Sequence, residues 1–132
     1  MAVVDASVWV SLLKKDDKFH EQAKNIIRTL ILNQEKISVP AIAFTEVAGV
    51  IKRTTKDGDA ARNAVDLMKE MAPEVVTDFG KLEPIATEIA VSHGARGADA
   101  YYLAVAEITK SNLYTFDKQQ TEAFEARLRL RL

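Results

Sequence analysis

The chain opens with Met1-Ala-Val-Val-Asp5-Ala-Ser7-Val-Trp-Val-Ser-Leu-Leu13, and this stretch decides its fold. Residues 2–4 form a short apolar run rich in β-branched side chains, which is typical of a buried strand. Ser7 stands where a helix N-cap would stand, just before the next apolar residues. Asp5 is therefore predicted to lie between the carboxyl end of a strand and the start of a helix. In open α/β sheets, this is the edge at which ligands bind.

Short strand-like runs alternate with helical patterns along the rest of the chain. The predicted strands cover residues 2–4, 37–39, 74–77, 113–116 and 127–132. The last strand is predicted from a strict alternation of Arg and Leu, which is typical of a half-exposed strand. The predicted helices after the first cover residues 18–33, 41–56, 60–71 with Asp59 as N-cap, 81–93, 98–110 and 117–126. This order predicts a single α/β domain over residues 1–132, with helices on both faces of a mostly parallel sheet of about five strands.

The composition limits the chemistry that is available. The chain has 132 residues and no cysteine, which excludes disulfides, thiol nucleophiles and Cys-ligated zinc. His20 and His93 are far apart and share no motif, so we expect both to be structural or solvated. A formal net charge of −1 excludes a strongly basic nucleic-acid binder but allows a local basic patch. With no basic leader and no apolar run of membrane-spanning length, we expect a soluble intracellular protein.

Acidic residues stand out at strand ends, at a helix start and on an otherwise apolar helix face. They are Asp5, Glu46, Asp99 and Asp117, and Gly49 leaves room above Glu46. Each has a simpler structural explanation, such as a strand–helix turn, a solvated helix position, a favourable charge in a first helical turn, or a capping box of Asp117 with Gln120. Asp78 also follows a predicted strand and is assigned no role. An acid at a strand end is therefore not specific by itself.

Taken together, the acids predict a metal site. Several carboxylates in one cleft repel one another, and their charged forms are costly without a cation. Hard divalent ions take oxygen ligands, and Mg²⁺ is usually held by one or two carboxylates together with water and phosphate oxygens. A cleft that holds three or four acids, with no His or Cys, indicates Mg²⁺ or Mn²⁺ and a phosphate-bearing substrate.

Short motifs around these acids occur in a recognisable order over nearly the whole chain. They are Val4-Asp5-Ala6-Ser7-Val8, Thr45-Glu46-Val47, Gly97-Ala98-Asp99-Ala100 and Tyr114-Thr115-Phe116-Asp117. With these motifs the chain resembles the PIN domain family, and most of all the short VapC-type ribonuclease toxins. The resemblance implies a three-layer α/β/α sandwich, an acidic Mg²⁺ or Mn²⁺ site, and endonuclease activity on single-stranded RNA.

The resemblance also implies roles for individual residues and for partners. The acids Asp5, Glu46, Asp99 and Asp117 would carry catalysis and metal binding, with Ser7 and Thr115 as supporting hydroxyls. One or two ions would bind the scissile phosphate, and in-line attack of water would leave a 5′-phosphate and a 3′-hydroxyl. A cytoplasmic toxin of this kind is expected to form a homodimer and to be held by a small antitoxin. The predicted strand 127–132, as an exposed sheet edge, favours such a dimer.

Side chains near the motifs are candidates for RNA contacts. Arg53 lies seven residues after Glu46 on the same helix face, and Arg96 lies in the loop before Asp99. Both are candidates for phosphate contacts, with ordinary solvated surface as the alternative. The aromatic candidates for base stacking are Trp9, Tyr101 and Tyr102, although the apolar helix face around Trp9 favours the core.

Two other classes of protein remain as alternatives. A phosphatase or phosphotransfer domain would use an aspartyl nucleophile. A haloacid-dehalogenase-type motif would place a second acid two residues after the first, where this chain has Ser7, and a receiver domain would place its acids in a different order. An inactive PIN-like binding module is the alternative without catalysis. The four carboxylates argue against it, because an idle site has no reason to keep their repulsion.

Overall fold

The computed structural model describes residues 1–131, and a parallel sheet forms the middle of the molecule. Its strands are β1 (Ala2–Val4), β2 (Ile37–Pro40), β3 (Glu74–Val76) and β4 (Asn112–Tyr114). They lie in the order β3-β2-β1-β4, and Val3 on β1 pairs with Ser38 on one side and with Leu113 on the other. The strand β1, with Asp5 after it, is therefore an inner strand.

A pair of helices joins each strand to the next. The helices are α1 (Ala6–Leu13), α2 (His20–Leu32), α3 (Ala43–Thr55), α4 (Gly58–Glu70), α5 (Phe79–His93), α6 (Gly97–Thr109) and α7 (Lys118–Arg131). Crossovers between parallel strands are right-handed. Helices α1 to α4, which connect β1 to β2 and β2 to β3, therefore cover one face of the sheet. Helices α5 and α6, which connect β3 to β4, cover the other face. This three-layer α/β/α arrangement confirms the predicted fold class. No helix within residues 1–131 is both long and apolar enough to cross a membrane.

The strand order reverses beside β1. The chain moves outward from β1 through β2 to β3, and then returns across the sheet to place β4 on the free side of β1. In open α/β sheets, the crevice at such a reversal, outside the carboxyl ends of the strands, is where ligands bind. Asp5 and Asp117 follow the two strands on either side of this reversal.

The elements that carry the acids are anchored in the core. All of β1 is buried, and Trp9 is fully buried, with its Nε1 donating to the Val4 carbonyl oxygen over 3.0 Å. Helix α6 is buried on most of its surface, through Ala100, Tyr102, Leu103, Ala104, Val105 and Ala106. Full burial of a side chain as large as Leu103 or Val105 stabilises the fold by roughly 1.5–3 kcal/mol. The backbones that present Asp5 and Asp99 are thus held firmly.

The predicted strand 127–132 is wrong, because α7 continues to Arg131 and Leu132 lies outside the described residues. The guanidinium of Arg127 donates to Glu107 on α6 over 2.9 Å and to Glu88 on α5 over 2.5 Å. Arg and Leu are also good helix formers, so local propensity and the ion pairs agree. Within residues 1–131 the sheet has four strands instead of five, and the predicted edge strand that favoured a dimer is a helix.

Two helix starts also differ from the prediction. Asp5, not Ser7, is the N-cap of α1, and its carboxylate accepts from the Ser7 backbone N–H over 3.2 Å. Helix α4 is capped by Asp57, not by Asp59. In both helices an aspartate upstream of the predicted cap takes the role, because its carboxylate reaches the free N–H groups of the first turn. Ser7 therefore lies in the first turn of α1, and its hydroxyl is not used as the helix cap and can form other hydrogen bonds.

Candidate functional site

A cavity of about 580 Å³ opens at the carboxyl ends of β1 and β4, and we call it the acidic cavity. Its wall includes all the predicted acids and both predicted arginines, namely Asp5, Glu46, Asp99, Asp117, Arg53 and Arg96. The acids come from separate parts of the chain: the residue after β1, helix α3, helix α6, and the residue before α7. The fold thus brings them together as the motifs predict.

Asp5 is held through one of its two carboxylate oxygens. Its Oδ2 accepts from the Ser7 N–H over 3.2 Å, the Ser7 hydroxyl over 2.7 Å and the Thr115 hydroxyl over 2.9 Å. Oδ1 accepts no hydrogen bond from residues 1–131, although the side chain is only 4% exposed. The carboxylate is therefore fixed in orientation, with one oxygen left for a ligand.

The hydroxyls of Ser7 and Thr115 connect Asp5 to the loop after β4. The Ser7 hydroxyl accepts from the Phe116 N–H, and the Thr115 hydroxyl accepts from the Asp117 N–H, both over 3.0 Å. Each hydroxyl donates to Asp5 and accepts from the backbone, so its proton has a defined place. This network positions Asp5 and Asp117 relative to each other.

Asp117 also caps the following helix, as the simpler explanation predicts. Its Oδ1 accepts from the Gln119 and Gln120 N–H groups over 2.8 and 3.2 Å. The return bond of a capping box is not formed, because the Gln120 amide instead donates to the backbone carbonyl of Asp99 over 3.3 Å. The start of α7 is thereby tied to the first turn of α6, and both segments carry an acid of the cavity.

Burial raises the pKa of the Glu46 carboxyl to about 6. The negative charges of Asp5 and Asp99 raise this pKa further, while the Tyr102 hydroxyl and the Arg53 guanidinium lower it. The Tyr102 hydroxyl and Oε1 of Glu46 are nevertheless buried without a hydrogen-bond partner of normal geometry among the described residues. Glu46 is therefore electrostatically coupled to the other acids and keeps one unsatisfied oxygen.

The pKa of Asp99 is also raised to about 6, first by burial and then by the charges of Asp5 and Asp117, while Arg96 lowers it. Acids that influence one another in this way titrate as a group. The carboxyl groups of Asp5, Glu46, Asp99 and Asp117 thus lie close enough along one cavity wall to influence one another's charge.

The donor set of the acidic cavity fits a hard divalent cation. Within residues 1–131, no three His, Cys, Asp or Glu side chains stand close enough to form a closed metal-binding group. Mg²⁺ needs no such cage, because one or two carboxylates with water and phosphate oxygens complete its shell. Oδ1 of Asp5 and the unpartnered Oε1 of Glu46 are oxygen donors of the required kind. The ligands are thus available without a change of fold.

Arg53 and Arg96 supply positive charge to the cavity, and neither forms an ion pair with residues 1–131. Gly49 accommodates Arg53, because a Cβ at position 49 would lie 3.0 Å from its Nη1. The room predicted above Glu46 is therefore filled by the Arg53 guanidinium. Both arginines are free to meet an anionic ligand.

Sequence reasoning missed two aromatic residues of the acidic cavity. The rings of Phe19 and Phe116 stack, with centroids 5.0 Å apart and planes at 26°, and both line the cavity. Phe116 lies between two motif residues, whereas no local pattern marks Phe19. Of the aromatic residues that sequence had selected, Trp9 and Tyr102 are fully buried, which removes them as base-stacking candidates.

Comparisons with known proteins agree with this geometry. A model of the PIN domain family matches residues 2–125. The sarcin-ricin loop cleaving toxin VapC20 of Mycobacterium tuberculosis is 24% identical, with a TM-score of 0.78 over 93% of this chain and 95% of its own. FitAcB of Neisseria gonorrhoeae is 18% identical, with a TM-score of 0.67 over 95% and 94%. A toxin–antitoxin complex of Klebsiella pneumoniae is 16% identical, with a TM-score of 0.62 over 91% and 89%. At these identities the likeness concerns the fold alone, and no curated protein sequence matches the chain.

Proposed function

Because this chain belongs to the PIN domain family, we propose that it is a metal-dependent endoribonuclease that cleaves single-stranded RNA. One observation carries the proposal: carboxylates from separate elements line a single cavity, where burial and repulsion raise the pKa of two of them. Such a cluster is stabilised by a divalent cation. The unpaired arginines at its wall suit a polyanionic substrate.

In this proposal, Asp5, Asp99 and Asp117 would hold one or two Mg²⁺ or Mn²⁺ ions. Asp5 would bind through Oδ1, since Ser7 and Thr115 occupy Oδ2. When bound, the ion lowers the pKa of the attacking water and neutralises charge on the phosphate oxygens. Thr115 and Ser7 act through Asp5 as positioning residues.

Glu46 either helps to hold an ion or orients the attacking water. With a pKa of about 6 it is mostly ionised at neutral pH, so it is able to accept a proton from that water. The water oxygen bonds to phosphorus while the bond from phosphorus to the 3′ oxygen breaks. The 3′ oxygen then takes up a proton from solvent water and Glu46 releases its own proton to solvent, so the products carry a 5′-phosphate and a 3′-hydroxyl. Arg53 and Arg96 would hold neighbouring phosphates.

The test is cleavage of end-labelled single-stranded RNA with Mg²⁺ or Mn²⁺, compared with EDTA. Asp99→Asn, purified in the same way, controls for contaminating nucleases. We expect cleavage only with metal and only by the unmutated protein, with 5′-phosphate ends that a phosphate-dependent exonuclease recognises. Metal-independent cleavage, or full activity of Asp99→Asn, would contradict the proposal. RNA binding without cleavage would favour the inactive module.

We further propose that the chain is one domain that acts in the cytoplasm as a homodimeric toxin with a small antitoxin partner. The fold it shares with the Klebsiella pneumoniae toxin–antitoxin complex supports this proposal. Expression of the unmutated chain should stop growth, and expression of Asp5→Asn should not. Light scattering should report twice the 14.6 kDa protomer mass. A monomer at tens of micromolar, on the order of the concentration needed for a weak interface, would contradict the dimer.

A further inference from the structure

We infer that a second cavity beside the acidic one is a subsite for a nucleobase that offers hydrogen-bond donors, with guanine preferred to uracil; this inference rests on the proposed ribonuclease function. This side cavity has a volume of about 370 Å³ and lies between the loop 94–96 and the first turns of α7. Its own walls are His93, Gly94, Ala95, Gln119, Gln120 and Glu122, with Ala123 behind them. The volume lies within the range of small-ligand sites, roughly 300–1,000 Å³.

The side cavity shares wall residues with the acidic cavity. Arg96 and Asp99 line both. A phosphate bound in the acidic cavity through a metal ion would therefore have its neighbouring nucleotide next to the side cavity, with Arg96 at the junction. Single-stranded RNA is recognised by splaying bases into such sites, where their edges form hydrogen bonds.

Gln120 provides the side cavity with a hydrogen-bond acceptor of fixed orientation. Its side chain is only 3% exposed, and its Nε2 donates to the Asp99 carbonyl oxygen over 3.3 Å. Because a carbonyl oxygen only accepts, this bond fixes which end of the amide is nitrogen. The amide oxygen therefore faces other neighbours, and it has no hydrogen-bond partner among residues 1–131. An acceptor that is held in place and has no partner within the protein favours a ligand that donates.

The chemistry of the walls selects among the bases. The Gln120 amide oxygen and the Glu122 carboxylate are both acceptors, and Arg96 is the only arginine or lysine that lines the side cavity within residues 1–131. Oε1 of Glu122 lies 4.0 Å from the Lys118 ammonium, a long contact that leaves Oε2 for a ligand. Guanine offers a ring N–H beside an exocyclic amino group, so it satisfies two acceptors at once, whereas uracil offers a single ring N–H.

Binding of short RNAs tests the subsite without relying on cleavage. The probes are labelled hexauridylates in which one central residue is uridine, guanosine or inosine, with Ca²⁺ in place of Mg²⁺ and a gel check that the RNA stays intact. Fluorescence anisotropy gives the dissociation constants. We expect guanosine to bind about three- to tenfold more tightly than uridine, the size of one hydrogen bond. Inosine, which lacks the exocyclic amino group, should lie between them.

Variants assign the preference to the side cavity. Gln120→Met, which keeps the length of the side chain without an amide oxygen, should bring the guanosine-to-uridine ratio close to one. Gln22→Met, on the exposed face of α2, is the matched control. If Gln120→Met does not fold, Glu122→Ala at an exposed position serves instead and should lower the ratio at least twofold, roughly the weakest effect of one lost hydrogen bond.

The outcomes separate this inference from the proposed function. Equal binding of guanosine and uridine probes by a protein that cleaves RNA would overturn the subsite and leave the nuclease intact. The same conclusion follows if Gln120→Met or Glu122→Ala lowers the melting temperature but leaves the guanosine-to-uridine ratio unchanged. That result is expected if the contact between α6 and α7 only stabilises the fold. A protein that neither binds these probes nor cleaves RNA would overturn both.

Discussion

Asp5 and Asp78 occupy matching places in the sequence, yet only Asp5 belongs to the acidic cavity. Each comes shortly after a strand of the same sheet, and each caps the helix that follows. Asp5 accepts from the backbone of Ser7, and Asp78 accepts from the backbone of Lys81 over 3.3 Å. Asp5 is 4% exposed, whereas Asp78 lies on the surface.

The difference lies in the neighbouring strands. Asp5 follows the inner strand β1, so the end of β4 lies beside it and supplies the Thr115 hydroxyl. Asp78 follows the edge strand β3, which has a neighbour on one side only within residues 1–131. Helix capping is a local property that any aspartate before a helix can have. A functional site also requires a second strand end, and helices that deliver further acids.

The largest expected effect is on cleavage. Asn caps helices about as well as Asp, so Asp5→Asn and Asp78→Asn should both keep their helices. Asp5→Asn should nevertheless lower the rate of RNA cleavage on the order of a thousandfold, because it removes a charged metal ligand. Asp78→Asn should cleave at the parental rate. Equal losses in the two variants would mean that a helix cap, and not a site, explains Asp5.

Metal binding should increase the stability of Asp78→Asn much more than that of Asp5→Asn. Saturation with Mg²⁺ or Mn²⁺ at a hundred times the dissociation constant should stabilise the folded protein by about 2.7 kcal/mol. Thermal melts with and without metal should show this gain for the parent and for Asp78→Asn, and a much smaller gain for Asp5→Asn. A gain of the same size in Asp5→Asn would place the metal elsewhere.

The hydroxyls around Asp5 should have an intermediate effect. Ser7→Ala or Thr115→Val removes one donor to Oδ2, and loss of a group that orients a metal ligand typically costs 10–100-fold in metal affinity or activity, here taken as roughly tenfold. The metal concentration for half-maximal cleavage should rise, and excess Mn²⁺ should restore much of the rate. Thr77→Val, next to Asp78, is the control and should leave the metal dependence unchanged. A loss that metal does not rescue would argue against a positioning role.

The smallest expected effect is the stability gain from removing one repelling charge. The pKa of Asp99 is raised from 3.8 to about 6, so the folded state binds more protons than the unfolded chain in this window. The stability that Asp99 contributes is therefore lost as the pH rises from about 4 through 6. Metal-free Asp99→Asn should melt a few degrees higher than the parent near pH 7. This corresponds to about 1 kcal/mol after allowance for solvent screening of a half-exposed group.

The control for this prediction is Asp59→Asn. Asp59 is also an acid in the first turn of a helix, but it is exposed on α4. Its replacement should cost roughly 0.3–1 kcal/mol, because it loses a favourable interaction with the helix dipole. If Asp99→Asn also melted lower than the parent, with no difference in pH dependence, the four carboxylates would not share a site.

Much of the fold could be predicted from local patterns. Apart from the predicted helix 117–126 and the predicted strand 127–132, which α7 replaces, each predicted helix or strand with stated bounds is observed with its ends within two residues. The alternation of strands and helices was sufficient for the parallel sheet, because the crossover rule leaves few arrangements. Four acids of the cavity were also recognisable, since each motif is short and local, whereas Asp17, a further acid in its wall, belongs to no motif. A strand was wrongly predicted at residues 127–131 because an alternation of Arg and Leu is compatible both with a half-exposed strand and with the last turns of a helix.

The amino-acid sequence by itself determined the four observed strands, most helices and the positions of four acids that line the cavity, because these depend on side-chain patterns within a few neighbouring residues. The tertiary structure decided which acid near a strand end has a partner strand beside it, and so distinguished Asp5 from Asp78. It also decided the stacking of Phe19 on Phe116 and the bond from Gln120 to Asp99. These contacts join segments far apart in the chain, and their energies appear only when the sheet brings the segments together.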